Sequence, residues 1–293
     1  VFGTMRLRPF QDPPPADVRT AEQSLVLIKK ALSLGITTMD IAPVYALFNM
    51  EEHFGDALAL APELRERMEI VTKCNIQLPC PQRPDVKVHH YDTSEKHILW
   101  SVNTSLEKMR ISYIDLLLVH RADPLMDADE VASAFKTLKA EKKVLHFGVS
   151  NFSPSQFQLL QSRLDFPLVT NQVEHSCMCL DPLFDGVFDQ AQERRVCPMA
   201  WSPVAGGALF DESNTDDKAV RVRGALKEIA AERGTTPDQI ALAFVLRHPS
   251  RPLPVLGTTS EARLEAAAAA INIQLTQEEY TRVLVASMGK DIP

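Results

Sequence analysis

No uninterrupted apolar run in the 293 residues is long enough to span a bilayer, and no secretory h-region opens the chain. A cytoplasmic protein that does not act at a membrane is the expectation. Positive charge is also scarce. The 31 basic residues are outnumbered by 38 acidic ones, for a net charge of −7, and no basic tail or run of Lys and Arg occurs. Nucleic acid is therefore not an expected partner, because phosphate binding needs concentrated positive charge. Cysteine is sparse and odd in number: Cys74, Cys80, Cys177, Cys179 and Cys197. Their irregular spacing argues against a disulfide framework and for reduced thiols, and the lone CxC at Cys177 and Cys179 is a weak metal signal. No GxGxxG is present, so the phosphate-binding turn of an open dinucleotide fold is missing.

What remains is ordinary globular composition, with 45% hydrophobic and 24% charged residues. A chain of this length buries a large core without disulfides or metal. Strand and helix signals alternate along it. Residues 20–35 carry apolar side chains at helical spacing and end on Gly35; GITTMDI follows as a strand. Residues 94–111 read as a helix with Ser94 as N-cap, and YIDLLLVH as a strand. Residues 127–144 have acids in the first turn and lysines in the last, as the helix dipole favours, and VLHFGVSN follows. The alternation continues to LPVLG at 253–257 and the helix after it. About eight such units without a linker imply a parallel sheet, and the economical closure is a single (β/α)8 TIM barrel spanning 1–293. Two stretches, 76–93 and 203–217, lack period and read as loops over the functional face. The chain begins at Val1 with VFGTMRL, which reads as a first strand entered partway, so a preceding short segment is expected.

Five of the strand-like segments end on polar residues suited to carbonyl chemistry. GITTMDIAPVY ends in Asp40 and Tyr45, MEIVTK in Lys73, YIDLLLVH in His120, VLHFGVSN in Ser150 and Asn151, and VCPMAWS in Trp201 and Ser202. In a parallel barrel the carboxyl ends of all strands meet on one face. Asp40, Tyr45, Lys73 and His120 make chemical sense as a set. A phenol is a poor acid at neutral pH, a neighbouring ammonium favours its anion, and a carboxylate holds the ammonium. A histidine nitrogen then orients a substrate oxygen, giving a proton-donating device for a carbonyl under reduction. Singly, each has a plainer role: a turn cap, a half-buried aromatic, an ion-pair partner and an interior histidine.

Taken in order, GITTMDIAPVY, VTK, LLLVHR, GVSNF, NQVE and AWSP resemble the motifs of the aldo-keto reductase superfamily, from Phe2 to about Ala270. RERMEIVTKC, HRADPLMDADEVA, HFGVSNFSPSQFQLLQSRL and PLPVLG resemble its YdhF-type bacterial branch. The resemblance implies an NADP(H)-dependent carbonyl reductase of small aldehydes or ketones. By that resemblance Tyr45 is the proton donor, Lys73 lowers its pKa, Asp40 pairs with Lys73, and His120 orients the carbonyl. Ser150, Asn151 and Gln172 would bind the nicotinamide carboxamide, Trp201 would stack on the ring, and Gly3 and Thr4 would touch that end. Ser202, Val204, Gly206 and Gly207 would line the pyrophosphate. Gly257, Thr258, Thr259 and Arg263 would hold the adenosine 2′-phosphate.

Some positions depart from the family pattern. Many relatives carry lysine at the place of Gly257 and an acidic-Asn pair at Ala266 and Ala267, so NAD(H) stays open beside NADP(H). Ala46 stands where glycine is common after the tyrosine. His175, where an apolar residue is more usual, reads as a structural histidine, with the substrate pocket as its other possibility. His89, His90 and His97 read as loop surface and helix face. The short C-terminal tail implies a pocket open on one side. The alternative function is an NADP(H)-binding sensor or partner subunit with little turnover. A metal-dependent barrel hydrolase would need more His and carboxylate ligands at strand ends than Asp40 and His120 supply.

Overall fold

The computed structural model describes residues 1–9 and 18–292. The chain divides into two compact units, Val1–Asn171 and Gln172–Pro293. The first unit opens with β1 (Phe2–Gly3), α1 (Ala21–Ser33) and β2 (Thr38–Asp40). Thr20 caps α1 through a reciprocal box with Gln23, satisfying two amides the helix leaves without partners. α2 (Met50–Ala59), β3 (Glu69–Cys74) and the short strands β4 (Ile76–Gln77) and β5 (His90–Tyr91) follow. Then come α3 (Glu95–Met109), β6 (Ile114–Val119), α4 (Ala128–Ala140), β7 (Val144–Ser150) and α5 (Pro154–Gln161).

β1, β2, β3, β6 and β7 pair in parallel and in that order. The β3–β6 register sets Lys73 opposite Leu118 and Cys74 opposite Val119, and Asp40 sits opposite Val71 on the adjacent pair. From strand to strand the polar residue therefore steps forward by two positions, Asp40 to Lys73 to His120, and a step of two keeps the three on one face of the sheet. Helices cover the strands through apolar faces. Phe135 of α4 stacks on Phe147 of β7 at 4.3 Å between ring centroids, and neither is exposed. Burial of such a side chain stabilises by about 1.5–3 kcal/mol. α2 and α3 cross so closely that a Cβ on Gly55 would collide with the Lys108 carbonyl oxygen, which leaves glycine as the residue that fits.

In the second unit, β8 (Leu168–Glu174), which starts at the end of the first, is followed by α6 (Val187–Arg194) and β9 (Met199–Trp201). α7 (Asp217–Arg233), α8 (Pro237–Leu246), β10 (Leu253–Pro254), α9 (Glu261–Ala269) and α10 (Gln277–Met288) complete it. β8 pairs with β9 and β9 with β10, both in parallel. α7, α8 and α10 share an apolar core that includes Leu226, Ile229, Ile240 and Val283, with Phe244 stacked on Tyr280 at 4.5 Å.

Several local expectations change. α2, for which the alternation assigns no helix, begins at Met50, with Glu51 and Glu52 in its first turn and Met50, Phe54, Ala57 and Leu58 buried. Its apolar positions are too few to signal a helix without the tertiary partner that buries them. The stretch 76–93 is drawn together at its ends, where β4 and β5 pair antiparallel. Residues Ala205–Phe210 form two tight turns inside 203–217, separated by a kink at Gly206 and Gly207. α7, α8 and α10 fall where the strand–helix alternation assigns nothing. All five thiols are free.

Candidate active site

Lys73 is the centre of the arrangement, and it lies wholly within the first unit. Its side chain is fully buried, and Nζ lies 2.8 and 2.9 Å from the two carboxylate oxygens of Asp40. It also donates to the Ile41 carbonyl at 2.9 Å and to the Tyr45 hydroxyl at 3.1 Å. The Tyr45 and His120 rings meet edge to face, with centroids 6.0 Å apart. The strand-end motifs for Asp40, Tyr45, Lys73 and His120 thus converge in one cluster.

The backbone around the four is fixed by polar ties. The Thr4 amide and hydroxyl both donate to the Asp40 carbonyl at 3.0 Å. Thr4 is fully buried, so its visible part is support of Asp40. The His120 amide donates to the Cys74 carbonyl, and the Asn151 side-chain amide donates to the His120 carbonyl at 3.2 Å and to Ser150 Oγ at 2.8 Å. Asn75 grips Arg121 at both ends of its backbone: its amide group donates to the Arg121 carbonyl at 2.8 Å, and its carbonyl accepts from the Arg121 amide at 3.3 Å. Asn75 does this from φ 89. Asn tolerates positive φ better than other non-glycine residues.

Burial sets the charges. It pushes the Tyr45 phenol above its ordinary value; the Lys73 ammonium pulls the other way, and the Asp40 carboxylate adds to the rise. Burial would lower Lys73, but the Asp40 carboxylate and the Tyr45 oxygen outweigh it and hold the ammonium above its usual value. His120 is held well below 6.5 by burial first, then by the positive charges of Lys73 and Arg121. At neutral pH the cluster therefore holds a protonated phenol, an ammonium and a neutral imidazole.

The turn carrying Tyr45 is unusual. Ala46, Leu47 and Phe48 have φ of 50, 52 and 68 in succession. Left-handed conformations cost L-residues about 1–2 kcal/mol each. This gives the physical reason that glycine suits the place of Ala46.

In the second unit, Gln172 is buried on β8, and its amide donates to Met199 Sδ at 3.7 Å. Trp201 ends β9 half-buried, and its carbonyl accepts from the His175 amide. Ser202, Ala205, Gly206 and Gly207 after it have φ of 50, 51, 66 and 94. Space is open where a Cβ on Gly207 would point, so φ is what calls for glycine there. Thr258 Oγ1 accepts from the Ser260 amide, and Ser260 caps α9 by accepting from the Arg263 amide. The Arg263 guanidinium pairs with no carboxylate among the described residues. An open glycine turn, a helix N-terminus and an unpaired guanidinium are the donor set that a phosphorylated dinucleotide requires. His175 is fully buried against Phe188 and Phe244; its Nδ1 lies 3.2 Å from the Cys179 carbonyl, and Nε2 finds no partner among the described residues. It is a core histidine of this unit.

Sequence reasoning overlooked Asn75, Arg121, Glu51 and Arg83. Arg121 follows His120 directly in LLLVHR and acts on both His120 and Tyr45, a signal available in the motif itself. Glu51 is buried beside Thr72, which donates to it at 2.8 Å, and burial pushes its carboxyl above the ordinary range. Among the described residues no three His, Cys, Asp or Glu side chains gather as a metal ligand set, and no helix is long and apolar enough to cross a membrane.

The chain belongs to the aldo/keto reductase family: the family model matches residues 1–285. Over 275 residues it is 47% identical to the oxidoreductase YdhF of Escherichia coli, covering 94% of this chain and 90% of that one. It is 40% identical over 292 residues to a 6-dehydroglucose reductase of Agrobacterium fabrum, covering 100% and 95%. The crystal structure of a glycerol dehydrogenase from Gluconobacter oxydans superposes with a TM-score of 0.85 at 23% identity, over 100% of this chain and 93% of that one, a likeness of fold. The fold class is thus the (β/α)8 barrel expected from the alternation, and the chain is an oxidoreductase of this family.

Proposed function

We propose that the protein is an NADP(H)-dependent carbonyl reductase of small aldehydes or ketones with Tyr45 as proton donor. The observation that carries the reading is the single ammonium of Lys73, hydrogen-bonded at once to the Asp40 carboxylate and the Tyr45 hydroxyl. When bound, the nicotinamide supplies the hydride that reduces the carbonyl carbon. The chain's own residues manage the oxygen. Tyr45, protonated at neutral pH, gives its proton to the carbonyl oxygen as charge builds there. The phenolate left behind is stabilised by Lys73 and by the charge of Arg121, and it regains a proton from solvent. Asp40 keeps Lys73 charged and aimed. His120, neutral, offers a ring nitrogen to the same oxygen without competing for the proton.

The chemistry of the donor set fits NADP(H). Arg263, Thr258, Thr259 and Gly257 would take the 2′-phosphate, and Ser202, Val204, Gly206 and Gly207 the pyrophosphate. Trp201 would face the nicotinamide, with Gln172, Ser150 and Asn151 for its carboxamide and Gly3 and Thr4 nearby. NAD(H) would lack the contact to Arg263. The relatives named as oxidoreductase and 6-dehydroglucose reductase support carbonyl–alcohol chemistry.

The test is twofold. Tryptophan fluorescence is followed while NADPH and then NADH are added, with Trp201→Phe as control. NADPH oxidation is then measured over a panel of aldehydes and ketones. Quenching by NADPH that disappears in the variant, followed by turnover of at least one carbonyl, is the expected result. Binding without turnover of any carbonyl would favour a sensor over a reductase.

A further inference from the structure

We propose that Arg83 is a specificity residue that selects carbonyl substrates bearing a carboxylate or a comparable oxyanion at the end away from the reacting carbon. This rests on the reductase reading and names its substrate class. Arg83 stands in the segment between β4 and β5, bridged to Cys80 across a short turn. Its guanidinium lies over two rings: the central carbon is 4.5 Å from the Phe48 ring centroid and 4.5 Å from that of Trp100. Rings over a guanidinium occupy its π-faces. The N–H donors lie in the guanidinium's own plane, where a planar oxyanion is met edge to edge.

Arg83 and Phe48 line a small open cleft that also reaches His120. The same wall carries Asn75, Gln77 and His97, and no aspartate or glutamate. Arg83 makes no ion pair with a carboxylate among the described residues. Gln77 and His97 satisfy each other at 2.9 Å, and burial is the first cause holding the His97 ring below its ordinary value, so it is neutral near pH 7. The guanidinium is therefore the fixed positive charge on the cleft wall away from the Lys73–Asp40 pair. A half-buried cation has lost part of its hydration, which the two rings and the charge of Glu51 offset without filling its N–H donors with a carboxylate. The pairing of β4 with β5 and the two rings hold it before substrate arrives, which lowers the ordering cost of binding. A carbonyl oriented by His120 and an anion at Arg83 would be met by two residues of the same cleft.

The other role for this geometry is a latch that orders the 76–93 segment through cation–π contacts. A series of ω-oxo carboxylates is compared with unbranched aldehydes of equal length, in the wild type, Arg83→Gln, Arg83→Lys and Arg83→Met. Binding of saturated dicarboxylates, which cannot be reduced, is followed in parallel by calorimetry. The expected result is a wild-type preference for the oxo acid that fades with added salt. Arg83→Gln should raise KM for the acid by about tenfold to a hundredfold, the usual worth of a charge-assisted contact. Neutral aldehydes should change by about twofold or less, and Arg83→Lys should keep part of the preference. Equal losses for acid and aldehyde, or no wild-type preference, would overturn the proposal and leave a latch. Dicarboxylate binding that is lost in Arg83→Gln, without turnover of any carbonyl, would keep the anion site and sink the reductase reading. Turnover of aldehydes without dicarboxylate binding would do the reverse.

Discussion

Replacing Lys73 with methionine separates what the buried ion pair does for stability from what it does for chemistry. Asp40 is 2% exposed and holds the ammonium at 2.8 Å. At an effective dielectric constant of about 20 that attraction is about 6 kcal/mol before desolvation is set against it. Lys73→Met leaves the Asp40 carboxylate buried without its counter-charge, which costs about 3–5 kcal/mol. It also removes a group that both touches the Tyr45 hydroxyl and favours its anion. Proton donation should slow by about 10²–10⁴-fold. Adding Asp40→Asn to Lys73→Met removes the stranded charge, and the double variant should regain most of the lost stability while staying inactive. Urea unfolding and steady-state reduction on the two variants measure the two effects. Lys73→Met with near wild-type kcat, or a double variant no more stable than the single, would refute the reasoning.

Three further outcomes follow from the same structure. His175 is fully buried and its ring is held down to about 4 from 6.5, by burial first. The unfolded chain therefore takes up this proton before the folded one. The contribution is present in full above 6.5 and drains away as pH falls towards 4, on the order of 3 kcal/mol; His175→Leu should flatten that limb in urea midpoints measured across the range. Ala46→Gly relieves a residue at φ 50 and should raise stability by about 1 kcal/mol with kcat unchanged. Arg263→Ala should weaken NADPH about tenfold or more and NADH little, since the contact at stake is a charge-assisted one to the 2′-phosphate; equal weakening would reassign Arg263.

The four residues of the cluster were legible because parallel strands buried on both faces are long apolar runs, and a polar residue at or just past the end of such a run stands out. Asp40 after ITTM, Lys73 after EIVT and His120 after LLLV each mark such an end, and the β2–β3–β6 registers offset them by two positions per strand, which keeps them on one face. What holds them was not legible. Asn75 grips Arg121 across 46 positions of sequence, through a backbone conformation no pattern announces. Arg83 draws meaning from Phe48 and Trp100, which lie in different segments. α2 escaped notice because its buried face is short and becomes apolar surface worth burying only against its neighbours α1 and α3. The left-handed run at Ala46, Leu47 and Phe48 contains no glycine, so the usual marker of positive φ is absent. The net rise of the Tyr45 phenol likewise depends on burial, which spacing does not report.

The central claim is that Tyr45 donates the proton, and Tyr45→Phe tests it most directly. The variant keeps the ring against His120 and loses the hydroxyl 3.1 Å from Lys73. NADPH affinity is measured by fluorescence, and a single turnover of the best carbonyl in the panel is measured by rapid mixing. Unchanged nucleotide affinity with hydride transfer slowed by at least about 10²-fold is the predicted result. Transfer at the wild-type rate would contradict the assignment and move the search to His120.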